Sequence, residues 1–375
     1  MATELIHEDT QTMGHILVSP LNWGLGHATR DIPVIQSLLA HGHDVTIAAC
    51  GSALAALEQE FPACTCRPFP DYSVPFSANR FFLAQFVASF PYLLKGIADE
   101  HRNLAGLLAE DEFDLIISDN RFGIYSDRTP SIFITHQLRY HLPAMARPFE
   151  LAGVYLNSFL HANYDRIIVP DNPPGPCSLA GKLSRAETGA SRSHAYYAGI
   201  MTSTRRRDVA ADLDYLILIS GPEPQRTRLE KILLPAAGEL PGSIAVLLGS
   251  PERSGDDTVI SGRCTVIPYA STEEKELLMN RAKCVICRSG YTTMMELAEL
   301  GKQRALLIPT PGQTEQEYLA GHYERRGWFH AQAQHRIDLD ADLRLTDQFH
   351  GFPDMPGTEE NVERLYEEVL AGYLE

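Results

Sequence analysis

The sequence contains no run of about 18 uncharged apolar residues, the length a bilayer-spanning helix needs, so no membrane-spanning segment is expected. Met1–Met13 also lacks the apolar stretch of a secretory leader, being polar and acidic. Positive charge is scarce: 32 Lys and Arg stand against 48 Asp and Glu, a formal net charge of −16. That balance excludes partners reached through broad phosphate attraction, duplex nucleic acid above all. Cysteine is sparse, and the seven thiols follow no framework spacing. A reduced, cytoplasmic protein is expected, at most peripheral to the inner face of a membrane. Cys284 and Cys287 do spell CxxC, but within a strand that odd offset sends the sulfurs to opposite faces, which argues against a metal or redox pair.

What is present suits more than one hydrophobic core: 375 residues, 44% of them hydrophobic. Strand-like runs at His15–Ser19, Asp44–Ala48, Asp114–Ser118, Ser131–Thr135 and Arg166–Val169 alternate with helical stretches beginning near His27, Ser52, Ala78 and Ala144. Alternation of this kind implies a parallel sheet covered on both faces. The Pro- and Gly-rich stretch Asp171–Ser193 and the basic run Arg205–Arg207 interrupt it. The run reads as a solvated linker. The pattern then restarts, with strands at Tyr215–Ser220, Ser243–Gly249, Cys264–Ile267, Cys284–Arg288 and Ala305–Pro309, and helices starting near Gln225, Thr272, Gly290 and Thr314. The fold class is therefore α/β: two doubly wound, Rossmann-like domains facing across a cleft, with ligands beyond the carboxyl ends of the strands. The expected division is 1–195, a linker 196–213, 214–356, and a C-terminal helix within 357–375.

The most informative segment is CRSGYTTMMELAELG, Cys287–Gly301. A strand runs through a Ser-Gly turn into a helix, so the N–H groups of Gly290, Tyr291, Thr292 and Thr293, with the Ser289 and Thr292 hydroxyls, can hold a phosphate or diphosphate. Glu296 lies about 9 Å farther along the axis on the side of Thr292, placed to accept both hydroxyls of a ribose. An ordinary turn with a solvent-facing glutamate would read the same way. The next strand opens into TPGQTEQEYLA, where Gln313, Glu315, Gln316 and Glu317 crowd a helix start. Neutral amides there suit sugar hydroxyls, which need paired donors and acceptors; helix-dipole complementation explains the glutamates but not the glutamines.

Over Cys264–Ala320 the chain resembles the donor half of GT-B glycosyltransferases, in particular the group that includes the UDP-GlcNAc transferase forming lipid II and plant galactolipid synthases, the glycosyltransferase family 28 C-terminal type. The resemblance implies that Ser289 and Gly290 hold the donor diphosphate, that Glu296 grips the ribose, and that Gln316 with Glu317 reads the sugar. The second of that pair is a glutamate here where a Gln-Gln pair is usual. VIPYAS, Val266–Ser271, matches the segment whose backbone meets the uracil, which brings in Tyr269. Ser220-Gly221 stands where relatives have a glycine-rich phosphate loop, but Pro222 and Pro224 remove two backbone donors. Arg226 is a candidate phosphate contact.

In the first half, SPLNWGLGHATR carries Gly24 and Gly26 into a helix that begins at His27. Glycines let such a loop approach a ligand closely, and a histidine at the helix mouth has the unperturbed pKa of a general base. A tight turn capped by histidine is the alternative. In the resembled family this loop lines the acceptor site, and its wording also resembles UDP-sugar hydrolases of nonulosonate pathways. Asp119, Asn120 and Arg121 follow one strand end, and His136, Gln137 and Arg139 another. These clusters fit acceptor recognition, with Asp119 the second candidate for base; Asx-turn chemistry accounts for Asp119-Asn120 equally. The aromatic stretch Phe81–Leu94 reads as a buried core helix, with a lipid-facing acceptor mouth as the alternative. The acidic run Asp338–Asp342 reads as an exposed loop.

Together these readings predict an enzyme that moves a sugar from a UDP-sugar to the hydroxyl of a small-molecule or lipid acceptor, without a metal or other cofactor. A UDP-sugar hydrolase and a non-catalytic nucleotide-sugar-binding protein are the alternatives. The resemblance further implies that the C-terminal helix crosses back to the first domain.

Overall fold

The structure, a computed structural model, describes residues 13–23, 25–71, 82–142, 146–250, 258–259 and 263–374, with the backbone alone for 82–90 and 258–259. Gly24, Phe81 and the side chains of Phe82, Phe86 and Phe90 lie outside the described residues.

The first apolar runs are buried at nearly every position, as strands covered on both faces must be. They form β1 (His15–Pro20), β2 (Asp44–Ala49) and β4 (Leu115–Asp119), joined by β3 (Thr65–Pro68), β5 (Ser131–Ile134), β6 (Arg166–Val169) and β7 (Ala195–Tyr197). The sheet is parallel, in the order β3-β2-β1-β4-β5-β6-β7. Helices α1 (Leu25–Ala40), α2 (Gly51–Glu60), α3 (Phe82–Glu110), α4 (Glu150–His161) and α5 (Gly189–His194) make its crossovers. Reversal of strand order between β1 and β4 opens a crevice at their carboxyl ends.

The second sheet contains β8 (Leu213–Leu218), β9 (Ile244–Leu247), β10 (Thr258–Val259), β11 (Cys264–Ile267), β12 (Ala282–Cys287), β13 (Ala305–Leu307) and β14 (His330–Ala331). Its order is β10-β11-β9-β8-β12-β13-β14, antiparallel only at β10–β11. Helices α6 (Gln225–Ala237), α7 (Thr272–Arg281), α8 (Tyr291–Glu299), α9 (Thr314–Arg325) and α10 (Leu339–Leu345) cover it, and its strand order reverses between β8 and β12. Cys284 and Cys287 belong to the cores on opposite faces of this sheet, so the CxxC sulfurs do diverge. The short edge strands β3, β7, β10 and β14 have no continuous apolar run, which is why periodicity passes over them.

Four segments differ, wholly or in part, from their sequence reading. Within the Pro- and Gly-rich zone, Leu179, Ala180 and Leu183 are buried in the core of the second domain. Asp171 folds this stretch by accepting from the Ser178 and Ser184 hydroxyls and the N–H groups of Leu179 and Ala180, at 2.7–3.1 Å. The basic run is exposed, as a solvated linker would be, but it is also docked: Arg207 meets Glu276 at 2.5 Å, Arg206 the Leu300 carbonyl at 3.1 Å and Arg205 the Gln36 amide oxygen at 2.7 Å. Asp338–Asp342 is no exposed loop, because Asp338 caps α10 through the N–H of Ala341 and Asp342 is buried beside His330. In α3, Tyr92 and Leu94 are exposed, where a core helix would have hidden them.

After α10 the chain returns to the first domain. The terminal helix, α11 (Thr358–Leu365), continues through a π turn at Tyr366–Leu370 into α12 (Ala371–Leu374). Val362, Leu365, Tyr366, Val369 and Leu370 join the core beneath β1, β2 and β4, and the Tyr366 hydroxyl bonds His43 Nε2 at 2.7 Å. Among the described residues no helix is long and apolar enough to cross a membrane.

Candidate active site

The crevice of the first domain is occupied by charged side chains that the fold brings together from α1 and β4. His27, in the first turn of α1, places Nδ1 2.8 Å from Asp119 Oδ1 at the end of β4. Arg30, one turn on, is fully buried and gives hydrogen bonds to both oxygens of Asp119. Its Nη2 also lies 2.9 Å from His27 Nδ1. An ionised carboxylate can only accept, so Nδ1 carries its proton toward Asp119, and Arg30 Nη2 beside it is a close approach of two donors, not a hydrogen bond. That tautomer leaves the Nε2 lone pair of His27 with no hydrogen bond among the described residues. Burial alone would push Asp119 up, but Arg30 and His27 outweigh it and hold the carboxyl well below the usual range. Asp119 is thus a permanently ionised support for the imidazole. Beside it Asp31 is also fully buried, with neither oxygen hydrogen-bonded at ordinary length. Burial, then the charge of Asp119, push Asp31 well above the carboxylate range and favour its neutral acid.

The same network crosses between the domains. Arg30 Nη1 donates to His136 Nδ1 at 3.1 Å, which fixes the His136 proton on Nε2, 3.1 Å from Glu315 Oε1 at the start of α9. Gln137 donates to the other Glu315 oxygen. Burial lowers the pKa of His136, consistent with a neutral ring. The imidazole stacks on Tyr291 of α8, centroids 4.2 Å apart at 7°, and the Tyr291 hydroxyl donates to the Pro170 carbonyl at 2.7 Å. Gly26 explains itself at this seam: a Cβ there would stand 2.5 Å from Thr292 Oγ1. What the loop lets approach is the other domain. Gly26→Ala should therefore hinder closure and reduce kcat/KM, and adding Thr292→Ala should restore much of the loss; equal kinetics for single and double variants would show that the seam does not close in turnover.

On the donor side the carboxyl ends of β8, β12 and β13 converge. Gly290 caps α8 with extended backbone, leaving the first-turn N–H groups of Tyr291, Thr292 and Thr293 without intrahelical partners. The hydroxyls expected beside them are already engaged. Ser289 Oγ donates to the Gln316 carbonyl at 2.8 Å, and Thr292 Oγ1 reaches the Gly26 carbonyl at 3.4 Å. Gln316 is buried and its side-chain oxygen accepts from the Thr310 N–H at 2.9 Å. Its amide nitrogen lies 3.7 Å from where a Cβ on Gly290 would be. Gln313 and Glu317 are exposed, the latter bonded to the Gly312 N–H. Glu296 is buried and holds Lys275 of α7 with both oxygens, at 2.7 and 2.8 Å. Tyr269 is half exposed after β11.

Gly221 has φ +113° and stands against Arg288. Arg288 is buried and donates only to carbonyls, those of Ser220, Ile308, Pro309 and Gln225, tying the three strand ends together. Burial pushes its pKa down to about 10. A guanidinium with no carboxylate partner among the described residues thus lies behind the Ser-Gly turn.

Two expected site residues turn away. Asn120 takes a left-handed φ of 56°, which reverses the chain and sends Arg121 into the first domain. There it is fully buried against Glu100 at 2.7 Å and Asp71 at 3.2 Å, so its role is structural and not on the acceptor side. Arg226 is buried with Nη1 on the Leu248 carbonyl at 3.2 Å and Nη2 2.5 Å from Glu223, and a phosphate would have to displace these. Sequence reading missed Arg30, Asp31, Lys275 and Arg288, and placed Glu315 in the polar cluster at a helix start without a role of its own. Only Arg30 and Asp31 left a signal, as charged residues one helical turn from His27 on a helix with no other charge.

This is the two-domain GT-B fold of glycosyltransferases. Within it, residues 254–328 match the model of the glycosyltransferase family 28 C-terminal domain. Among solved structures, the spinosyn rhamnosyltransferase SpnG is similar over 95% of this chain and 96% of its own, at 17% identity and a TM-score of 0.62. The calicheamicin glycosyltransferase CalG4 is similar over 96% and 95%, at 14% identity and 0.60. MurG of Acinetobacter baumannii is similar over 95% and 94%, at 12% identity and 0.53. No curated protein matches the chain in sequence.

Proposed function

We propose that the protein transfers a sugar from a nucleoside-diphosphate sugar, UDP-linked, to the hydroxyl of a small-molecule or lipid acceptor. The observation that carries this reading is the His27–Asp119 pair of the first domain standing at the seam where Gly26 meets Thr292 of the α8 start. His27 Nε2 takes the acceptor proton as the oxygen attacks, and Asp119 stabilises the imidazolium that forms. The departing diphosphate collects charge at the Tyr291–Thr293 N–H groups, with the Arg288 charge behind them. Gln316, with Gln313 and Glu317, offers hydrogen bonds to the sugar hydroxyls; Glu296 and Lys275 together offer an acceptor and a donor to the ribose; Tyr269 flanks the base.

Glu296→Ala should weaken nucleoside diphosphate binding by about 1.5–3 kcal/mol, read by calorimetry on folded protein. Unchanged affinity would remove Glu296 from the site. In this reading the diphosphate charge is met by N–H groups and arginine, so activity should survive EDTA; abolition with rescue by Mg²⁺ or Mn²⁺ would overturn that part. The reading as a whole is tested by nucleotide release from a panel of UDP- and dTDP-sugars, the latter because SpnG has been solved with thymidine diphosphate. Lipid, sugar and phenolic acceptors are each added or withheld. Release that depends on an acceptor supports transfer, release without one makes the protein a hydrolase, and binding without release makes it a nucleotide-sugar-binding protein.

A further inference from the structure

Beyond the first turn of α9 a cavity of about 460 Å³ opens between that helix and the Gly175–Arg185 segment of the first domain. Lys182, Arg185, Arg325 and Arg326 line it, and no acidic residue does, in a chain whose net charge is −16. Arg326 leans on the Trp328 ring and the Gly175 carbonyl. Among the described residues, Lys182, Arg185 and Arg325 have no carboxylate within ion-pair distance, although the chain has carboxylates in excess. Cations converging on a concave wall raise the local potential and draw an anion to it.

Two further observations describe the wall. His322 on the same wall is pushed down to about 4 by burial and then by Arg326, with Arg325 and Arg185 adding to it, and its Nε2 is buried with no hydrogen-bond partner. The wall is also rigid. Gly181 has φ +59°, and a Cβ there would stand 2.6 Å from the Tyr318 hydroxyl and 2.9 Å from His322 Nε2. The Lys182 N–H donates to that hydroxyl at 2.7 Å, and Asp171 pins the segment from behind. The backbone that carries Lys182 is therefore fixed before any ligand arrives, while the Lys182, Arg185 and Arg325 side chains stay exposed.

The cavity adjoins a second one that reaches the start of α9. A neighbouring cavity of about 550 Å³ shares Lys182, Tyr318 and Arg325 with it and extends to Thr314 and Glu317, the residues flanking Glu315 and Gln316. From Glu315 to His322 is about 10 Å along the helix axis at 1.5 Å per residue, the span of a small phosphorylated molecule. We propose that the basic cavity is a subsite for a phosphate or diphosphate carried by the acceptor, held by Lys182, Arg185 and Arg325 while the acceptor hydroxyl reaches His27. This rests on the transferase reading, which supplies the acceptor; the anion site itself is testable without turnover.

The test is calorimetry with inorganic pyrophosphate on wild type and on the triple variant Lys182→Ala/Arg185→Ala/Arg325→Ala, each with UDP at saturation to block the donor site. These side chains are exposed, and thermal unfolding checks that the variant folds. Wild type should bind pyrophosphate, the triple variant at least about tenfold more weakly, and UDP affinity should be equal in both. No binding to wild type at about 10 mM, or equal binding to both proteins, overturns the subsite. In turnover, a sugar phosphate should lose kcat/KM in the triple variant while the unphosphorylated sugar does not; equal losses also overturn it. A soluble sugar phosphate and vesicles of phosphatidate in phosphatidylcholine distinguish the source of the phosphate, and retention on either must fall in the triple variant. Failure of every acceptor to turn over would sink the transferase reading, with the calorimetry still deciding the anion site.

Discussion

His27→Ala should lower turnover by about 10²–10⁴-fold, the usual contribution of a positioned general base, while the affinity for nucleoside diphosphate stays nearly unchanged. The separation follows from geometry. His27 belongs to the first domain and bonds Asp119, whereas the N–H groups of α8, Arg288 and the Glu296–Lys275 pair are all in the second. Removing the imidazole also leaves Asp119 with both bonds from Arg30, so the charge network keeps its balance and the fold should hold. Single-turnover rates beside calorimetric affinities provide the check. A variant that loses nucleotide affinity but keeps kcat would make His27 a donor ligand.

Asp119→Asn should cost stability as well as activity, and the cost should depend on Asp31. Arg30 is fully buried, and leaving such a cation without its carboxylate is worth about 3–5 kcal/mol of destabilisation. Burial is the largest cause that keeps Asp31 protonated, and the charge of Asp119 is the next. Once Asp119 is neutral, Asp31 can release its proton and compensate Arg30, so the single variant should lose less than the full amount. Asp119→Asn combined with Asp31→Asn should then lose more than the sum of the two single changes. The pH dependence has opposite signs at the two sites. Asp119 is depressed in the folded state, so its contribution is complete above the ordinary carboxylate pKa near 3.8 and fades as pH falls below it. Asp31 is raised, so keeping it protonated costs stability increasingly as pH climbs above that value. Asp31→Asn alone should therefore raise Tm at pH 7.5 more than at pH 4.5. Urea unfolding of the four proteins at both pH values reads all of this, and strict additivity would show that the two carboxyls do not communicate.

The main strands of both sheets were legible because each is a short, largely apolar run bounded by turns; β6 and β11 have the bounds read from the sequence. The start of α8 was equally legible, since a Ser-Gly turn between a strand and an amphipathic helix is a local feature. His27 could be singled out for the same reason, by its place one residue after Gly26. The partners could not. Asp119 is 92 residues from His27 and Glu315 is 179 from His136, and no periodicity encodes which strand ends become neighbours. Type and position place Asp119 and Arg121 alike, two residues apart after one strand. The left-handed turn at Asn120 separates them, leaving the first carboxylate on His27 and burying the second side chain against Glu100. Likewise the hydroxyls of Ser289 and Thr292 look free for a ligand in the sequence, and the packing of α9 and α1 against α8 engages them. Local chemistry thus settles where strands end and helices begin, because backbone propensity and amphipathic spacing act over a few residues. Which charges are neutralised, which hydroxyls are occupied and which cations remain unpaired around the Gly175–Arg185 cavity depend on contacts between distant segments, and only the folded chain brings those together.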